Sequence, residues 1–177
     1  MAKKNKLQYI ILGLLNQEPL SGYDITKAFT TDIGEFWQAG HSQIYPALKI
    51  MEKDGYITHE IEIAGTKLEK KIYSITSQGK KVLMDWLVSD SGELKPIKDE
   101  FILKLYFIKN KDDVQLQQRL IEQLQLHQVK LDHLEGRMKL IFFSEEEINK
   151  QYGHYLILDH AIEREKYCVK WFKKYLN

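Results

Sequence analysis

The sequence predicts a mainly α-helical protein with one small β-hairpin, an α+β chain in two domains. Three observations carry that expectation. Apolar residues recur at helical spacing up to residue 54. One pair of alternating segments follows, at 57–63 and 71–76. Beyond a turn-rich stretch at 89–96, helical periodicity resumes without strand signals. With 177 residues and 44% hydrophobic content, the chain can bury a core, which argues against wholesale disorder.

In chain order, residues 5–16 read as a helix buried on most sides, ending before Pro19. Ser21 is placed to cap a second helix with Asp24 three residues on, a variant of the capping box. Tyr23, Ile25, Ala28, Phe29 and Ile33 supply the apolar positions of that helix, and a loop with Gly34, Phe36, Trp37 and Gly40 separates it from the next. The third helix is expected over 42–54, with Ser42 as N-cap and Pro46 in the first turn. Its apolar stripe is Ile44, Leu48 and Met51, its stop is Gly55, and its opposite face carries Gln43, Tyr45 and Lys49. Strands at 57–63 and 71–76 flank the loop of residues 64–70, whose tip and following strand bring Lys67, Lys70 and Lys71 together. Thr76 or Ser77 caps a fourth helix through Val82, Leu83, Trp86 and Leu87. Helix, helix, turn, helix and a hairpin make a winged helix-turn-helix, here at residues 1–90.

The C-terminal half, residues 97–177, reads as a helical dimerisation domain. Residues 98–109 are apolar almost all round from Phe101 and are expected to be buried. Over 112–143, Leu120, Leu124, His127, Leu131, Leu134, Met138 and Ile141 follow 4-3 spacing, on a helix roughly 45–50 Å long. A last helix, about 145–176, repeats the pattern with Tyr155, Leu158, Ile162, Glu165, Val169, Phe172 and Leu176. Two long helices bury only part of such seams against each other, so a homodimer through this half is the physical expectation.

Charge narrows the function classes. The net charge is +1, and residues 1–90 hold 11 lysines against 11 acidic residues with no arginine. Nucleic-acid binding would therefore rest on local clusters. One cysteine, Cys168, rules out an internal disulfide and fits a reducing compartment; its helix gives it no motif, and it reads as packing. The apolar run at residues 9–15 is too short to span a bilayer and lacks a cleavage site, so a soluble cytoplasmic protein is expected. No Gly-rich phosphate loop or nucleophile elbow is present, and no enzyme or cofactor is expected. His154, His160, Glu163 and the run Glu145, Glu146, Glu147 lack the Glu-x-x-His bundle pattern; the acidic run reads as a first turn favoured by the helix dipole, and no metal is expected.

Specific segments resemble the PadR family of bacterial winged-helix transcriptional regulators. They are Leu12-Gly13-Leu14-Leu15, Ser21-Gly22-Tyr23-Asp24-Ile25, residues 42–48, Asp54-Gly55-Tyr56-Ile57 and residues 73–79. Residues 65–71, Lys98-Asp99-Glu100-Phe101, Gly153-His154-Tyr155-Leu156 and residues 163–166 extend the similarity toward the phenolic-acid-responsive members. The resemblance implies a dimer on an inverted-repeat operator in double-stranded DNA, a repressor of phenolic acid decarboxylase released by phenolic acids such as p-coumarate or ferulate. Other relatives regulate drug exporters and bind flat hydrophobic drugs, which is the alternative. A helical protein whose winged helix binds a protein partner remains a third reading, favoured by the neutral N-terminal domain.

Site residues follow from the chemistry each role needs. For DNA, the third helix would enter the major groove, with Gln43 suited to adenine and Ser42, Tyr45 and Lys49 to base edges or phosphates. The wing residues Thr66, Lys67 and Lys70 would lie along the backbone or minor groove. A solvated polar helix and hairpin fit the same pattern. Lys3, Lys4 and Lys6 are expected to be disordered or weak phosphate contacts. A hydroxycinnamate needs a flat apolar slot, a carboxylate donor and a partner for the phenol. The candidates are Trp37 with His41, Phe101 with Tyr106, and the cluster Tyr152, His154, Tyr155, with a pocket expected between the two domains. His154 equally fits a core histidine satisfied by a carboxylate. Arg164 and Lys98 fit salt bridges with Asp99, Glu163 or Glu165 better than they fit a ligand.

Overall fold

The computed structural model describes residues 6–31, 33–64, 68–90, 92 and 98–176. The chain divides into two compact units, Met1–Leu94 and Lys95–Asn177.

In the N-terminal unit the elements are α1 (Lys6–Gln17), β1 (Leu20–Ser21), α2 (Gly22–Ala28), a 3-10 turn (Ile33–Glu35), α3 (His41–Lys53), β2 (Ile57–Ala64), β3 (Leu68–Ile75) and α4 (Ser77–Leu87). The capping box of α2 is formed: the Ser21 hydroxyl accepts from the Asp24 N–H at 3.2 Å, and the Asp24 carboxylate accepts from the Ser21 N–H at 3.2 Å. The helix is shorter than expected, so Ile33 reaches the core from the 3-10 turn, and Tyr23 faces solvent instead of the core.

Helix α3 begins earlier than its serine suggests. Gly40 is the N-cap, and the Gln43 side-chain oxygen accepts from the Gly40 N–H at 3.2 Å. Ser42 is thus a first-turn residue with an exposed side chain, and Pro46 sits in the second turn, where it removes one helical donor. The C-terminus closes as a Schellman motif: the Tyr56 N–H donates to Met51 O at 2.9 Å and the Gly55 N–H to Glu52 O at 3.0 Å. Gly55 has φ +74°, a conformation that side chains with a Cβ resist.

The sheet is antiparallel, ordered β1-β3-β2. Ile57 pairs with Ile75 and the ladder runs to Ala64 with Leu68. The strands therefore extend into the expected 64–70 loop. Thr66 and Lys67 lie outside the described residues. The two-residue β1, Leu20 opposite Tyr73 and Ser21 opposite Ile72, is too short to show a period and was not expected from the sequence. Thr76 ties three elements together. Its hydroxyl oxygen lies 2.7 Å from Gly55 O beyond α3, its N–H donates to Tyr56 O at 3.0 Å, and the same oxygen accepts from the Gly79 N–H at 3.1 Å to cap α4. Ile11, Leu12, Ile25, Ile44, Leu48, Met51, Ile57, Tyr73 and Leu83 join α1, α2, α3, β2, β3 and α4 in one core.

The C-terminal unit holds α5 (Glu100–Leu105), α6 (Val114–Ile141), α7 (Glu145–Lys150) and α8 (Tyr152–Tyr175). Asp99, Asp113 and Ser144 cap α5, α6 and α7 through side-chain oxygens. The 4-3 seams meet as expected: Leu131, Leu134, Leu158, Ile162 and Val169 form a core between α6 and α8, with Phe142 at its end. Two expectations need correction. The expected 98–109 helix shrinks to α5 and buries nothing: Ile102 is 54% exposed, Leu103 59%, Tyr106 83% and Phe107 69%. An all-round apolar sequence needs cover on all sides, and within its own unit this segment has cover on one. The expected 145–176 helix is broken at Gln151, whose φ −131° and ψ 42° are not helical.

Candidate functional site

Helix α3 presents two unlike faces. Ile44, Ala47, Leu48 and Met51 are buried, whereas His41, Ser42, Gln43 and Lys49 are exposed and Tyr45 is half-buried. The Tyr45 ring stacks on His41 with centroids 4.1 Å apart. It also lies on Gly22, where an added Cβ would fall 2.9 Å from the ring. This close approach joins residues more than twenty apart in sequence, and no local pattern signals it.

Flanking charges are partly neutralised. Lys70 Nζ lies 3.2 Å from the Asp24 carboxylate, so this wing lysine is shared with α2. The Ser21 hydroxyl, opposed by partial burial and helped by Lys70, holds Asp24 below the usual carboxylate range. His59 on β2 pairs with Glu52 on α3. Burial pushes the Tyr73 phenol up, with the Glu52 charge adding to it.

Within each unit the effector candidates fall in separate places. Trp37 lines a cavity of about 770 Å³ with Lys6, Tyr9, Phe36, Trp86 and Asp90. The Lys6 ammonium sits 5.6 Å over the Trp37 ring, and Tyr9 stacks on Trp86 with centroids 4.7 Å apart. Lys6 is therefore a helical residue at a cavity wall, not a loose tail; Lys3 and Lys4 lie outside the described residues. His41 instead belongs to the outer face of α3. In the C-terminal unit Phe101 packs on Phe172 at 5.5 Å, while Tyr106 lines an open, apolar cavity of about 880 Å³ with Ile102 and Leu103. His154 and Tyr155 stand edge-on to Phe142 at 5.4 and 5.6 Å, with Tyr152 stacked on Tyr155. His154 forms no ion pair among the described residues, and its ring meets Phe142.

One charged cluster is buried. Glu165 is 1% exposed, in the seam between α6 and α8. It pairs with His127 and lies 3.3 Å from Lys130 Nζ and 3.2 Å from an Arg164 nitrogen. Burial alone would raise the Glu165 carboxyl; His127, Lys130 and Arg164 together outweigh it and hold the group below its ordinary range. Cys168 stands within 4.8 Å of both Glu165 and His127, and burial pushes its thiol up. Imidazole, carboxylate and thiol are metal-ligand types, but the Glu165 oxygens already face three basic groups, which disfavours a cation there.

Three helices, the third with an exposed polar face beside a hairpin, define a winged helix-turn-helix protein with a helical C-terminal unit. Residues 11–85 match the transcriptional regulator PadR-like family, and residues 97–177 match the virulence activator alpha C-terminal family. The chain is 45% identical to the negative transcriptional regulator PadR of Bacillus subtilis over 173 residues, covering 96% of this chain and 95% of that one. It superposes on the structure of B. subtilis PadR in complex with operator DNA with a TM-score of 0.85, 43% identity and 96% coverage of both chains. The match to the p-coumaric acid complex of the same protein has a TM-score of 0.83 at 40% identity, again with 96% coverage of each. The chain belongs to the PadR family of transcriptional regulators.

Proposed function

We propose that this protein is a dimeric, cytoplasmic, non-enzymatic repressor that binds an inverted-repeat operator in double-stranded DNA and is released by a phenolic acid such as p-coumarate or ferulate. The observation that carries this reading is α3: a helix locked into its unit by Ile44, Leu48 and Met51, with Ser42, Gln43, Tyr45 and Lys49 turned outward beside the wing. That arrangement suits major-groove readout, with Lys70 beside it; Thr66 and Lys67, outside the described residues, are proposed backbone contacts on the sequence alone. Similarity to a protein crystallised with operator DNA and with p-coumaric acid supports both halves of the reading.

The cavity around Trp37 fits the effector. Tyr9, Trp37 and Trp86 supply flat apolar walls, Lys6 a carboxylate partner and Asp90 an acceptor for the phenol. Ser89 and Asp90 stand where the chain leaves the N-terminal unit, so an occupant grips the linker side of that unit. A coupling on the order of 1–3 kcal/mol between this cavity and the operator suffices for release.

Dimerisation is supported by a second stripe on α6. Leu126, Val129, His133, Gly136 and Leu140 follow 3-4 spacing on a face that α8 does not cover, and all are exposed. A second copy of the chain is the occupant proposed for it.

A gel shift on a palindromic operator tests the reading. Binding should be lost with saturating p-coumarate, and a Trp37→Ala variant should stay bound at that concentration. A complex that persists with wild-type protein would remove the effector half. Leu126→Glu with Leu140→Glu should give a monomer by light scattering and abolish operator binding. The drug-exporter reading is favoured by one feature, the open apolar cavity beside α5. Fluorescence titrations with ferulate and with a cationic dye separate the two.

A further inference from the structure

We propose that the C-terminal unit carries a second small-molecule site, for an aryl carboxylate, in the cavity between the start of α6 and the end of α8. This inference does not rest on the repressor reading, and its residues lie entirely within the C-terminal unit. The cavity measures about 390 Å³, within the roughly 300–1,000 Å³ span of small-molecule sites.

Its walls come from three segments. Leu116 and Leu120, one turn apart on α6, form one side, and Leu120 is buried. Trp171 and Tyr175, one turn apart on α8, form the other, with ring centroids 4.9 Å apart and planes at 51°. Leu105, the last residue of α5, contributes a third surface. Two aromatic rings and three leucines lining one cavity suit a flat ring better than a branched aliphatic group.

The rim sets the charge of the guest. Lys111 and Lys174 both line the cavity, and neither forms an ion pair among the described residues. Lys174 rests over the Tyr175 ring, its Nζ 5.2 Å from the centroid, a weak partner that a carboxylate would displace. Asp112 is the single acid in the lining, so cations outnumber it. Gln117 is half-buried and makes no side-chain hydrogen bond among the described residues, which leaves its amide for a ring hydroxyl. An aromatic wall, two unpaired ammonium groups and a spare amide together specify a small aromatic acid.

The three tryptophans make the test direct, because Trp37 and Trp86 line the N-terminal cavity while Trp171 lines this one. Indole N–H signals of the ¹⁵N-labelled full-length chain, assigned with Trp→Phe variants, are followed during titration with p-coumarate and with its uncharged methyl ester. The Trp171 signal should move saturably with the acid and hardly with the ester. Lys111→Ala combined with Lys174→Ala should weaken that response by about fivefold and leave Trp37 and Trp86 unchanged. In Trp37→Leu the Trp171 response should persist. The inference is overturned if Trp171 stays still at millimolar acid, if it responds equally to the ester or in the double variant, or if its response disappears in Trp37→Leu. Movement of Trp171 with Trp37 and Trp86 still would sustain this site and sink the effector assignment above.

Discussion

The two units handle apolar surface in opposite ways. In the N-terminal unit, helices and sheet enclose one core from all sides, and Ile11, Leu12, Ile25, Ile44 and Leu48 are fully buried. In the C-terminal unit the core is a seam between two helices, and Leu126, Val129, Leu140, Phe143 and, on α5, Ile102 and Leu103 stay exposed. The first unit is complete as a single chain. The second leaves an apolar face open, the face to which the proposed dimer is assigned. The difference separates a unit that fixes the outward face of α3 from one that leaves apolar surface for another molecule.

The sharpest way to break that contrast is in the N-terminal core. Leu48→Ala should cost about 3 kcal/mol, read as a shift of the N-terminal transition in chemical denaturation followed by Trp86 fluorescence. A shift under about 1 kcal/mol would mean that the core is not closed as described. Next comes Glu165. Glu165→Gln should destabilise the C-terminal unit by about 1–3 kcal/mol at neutral pH. The sign with pH is fixed by its lowered folded-state pKa. The unfolded chain binds the proton more readily, so the contribution is complete above the ordinary glutamate range and is lost as pH falls through the folded value. Thermal unfolding of wild type and variant should therefore converge in acid. A gap that widens there would contradict the network.

Smaller effects test the reading face. Gly22→Ala should displace the Tyr45 ring and weaken operator binding by about tenfold, equivalent to about 1.4 kcal/mol, in fluorescence anisotropy, while leaving the melting temperature nearly unchanged. Unaltered affinity would remove Tyr45 from the interface. Smallest is the comparison of Lys49→Ala with Lys70→Ala. The first should lower the salt slope of binding by about 0.9. The second should lower it less, because Asp24 already shares the Lys70 charge. Equal slopes would show that Asp24 lets go of Lys70 on DNA.

What was legible in the sequence divides along the range of the interactions. The Ser21–Asp24 box spans three residues and was readable as such, as were the 4-3 seams of α6 and α8. That His127 and Glu165 occupy those seams was visible; that they face each other across 38 residues was not. The start of α3 was misplaced because Ser42 is a good cap by type, whereas the Gln43 side chain reaching back to Gly40 sets the start two residues earlier. The 98–109 segment misled for a different reason: periodicity reports how much apolar surface exists, not which molecule covers it. The cavity around Trp37 draws on Lys6 and Trp86, eighty residues apart in sequence, and no motif joins them.

The hydroxyl of Thr76 has a mechanical consequence. Because it joins the exit of α3, the root of the hairpin and the entry to α4 at once, a pivot of any one of them alone breaks a hydrogen bond to this residue. A regulator built this way is denied the option of bending its wing aside or tilting a single helix out of the groove. Under the proposed repressor reading, release from DNA would then move α3, the hairpin and α4 together.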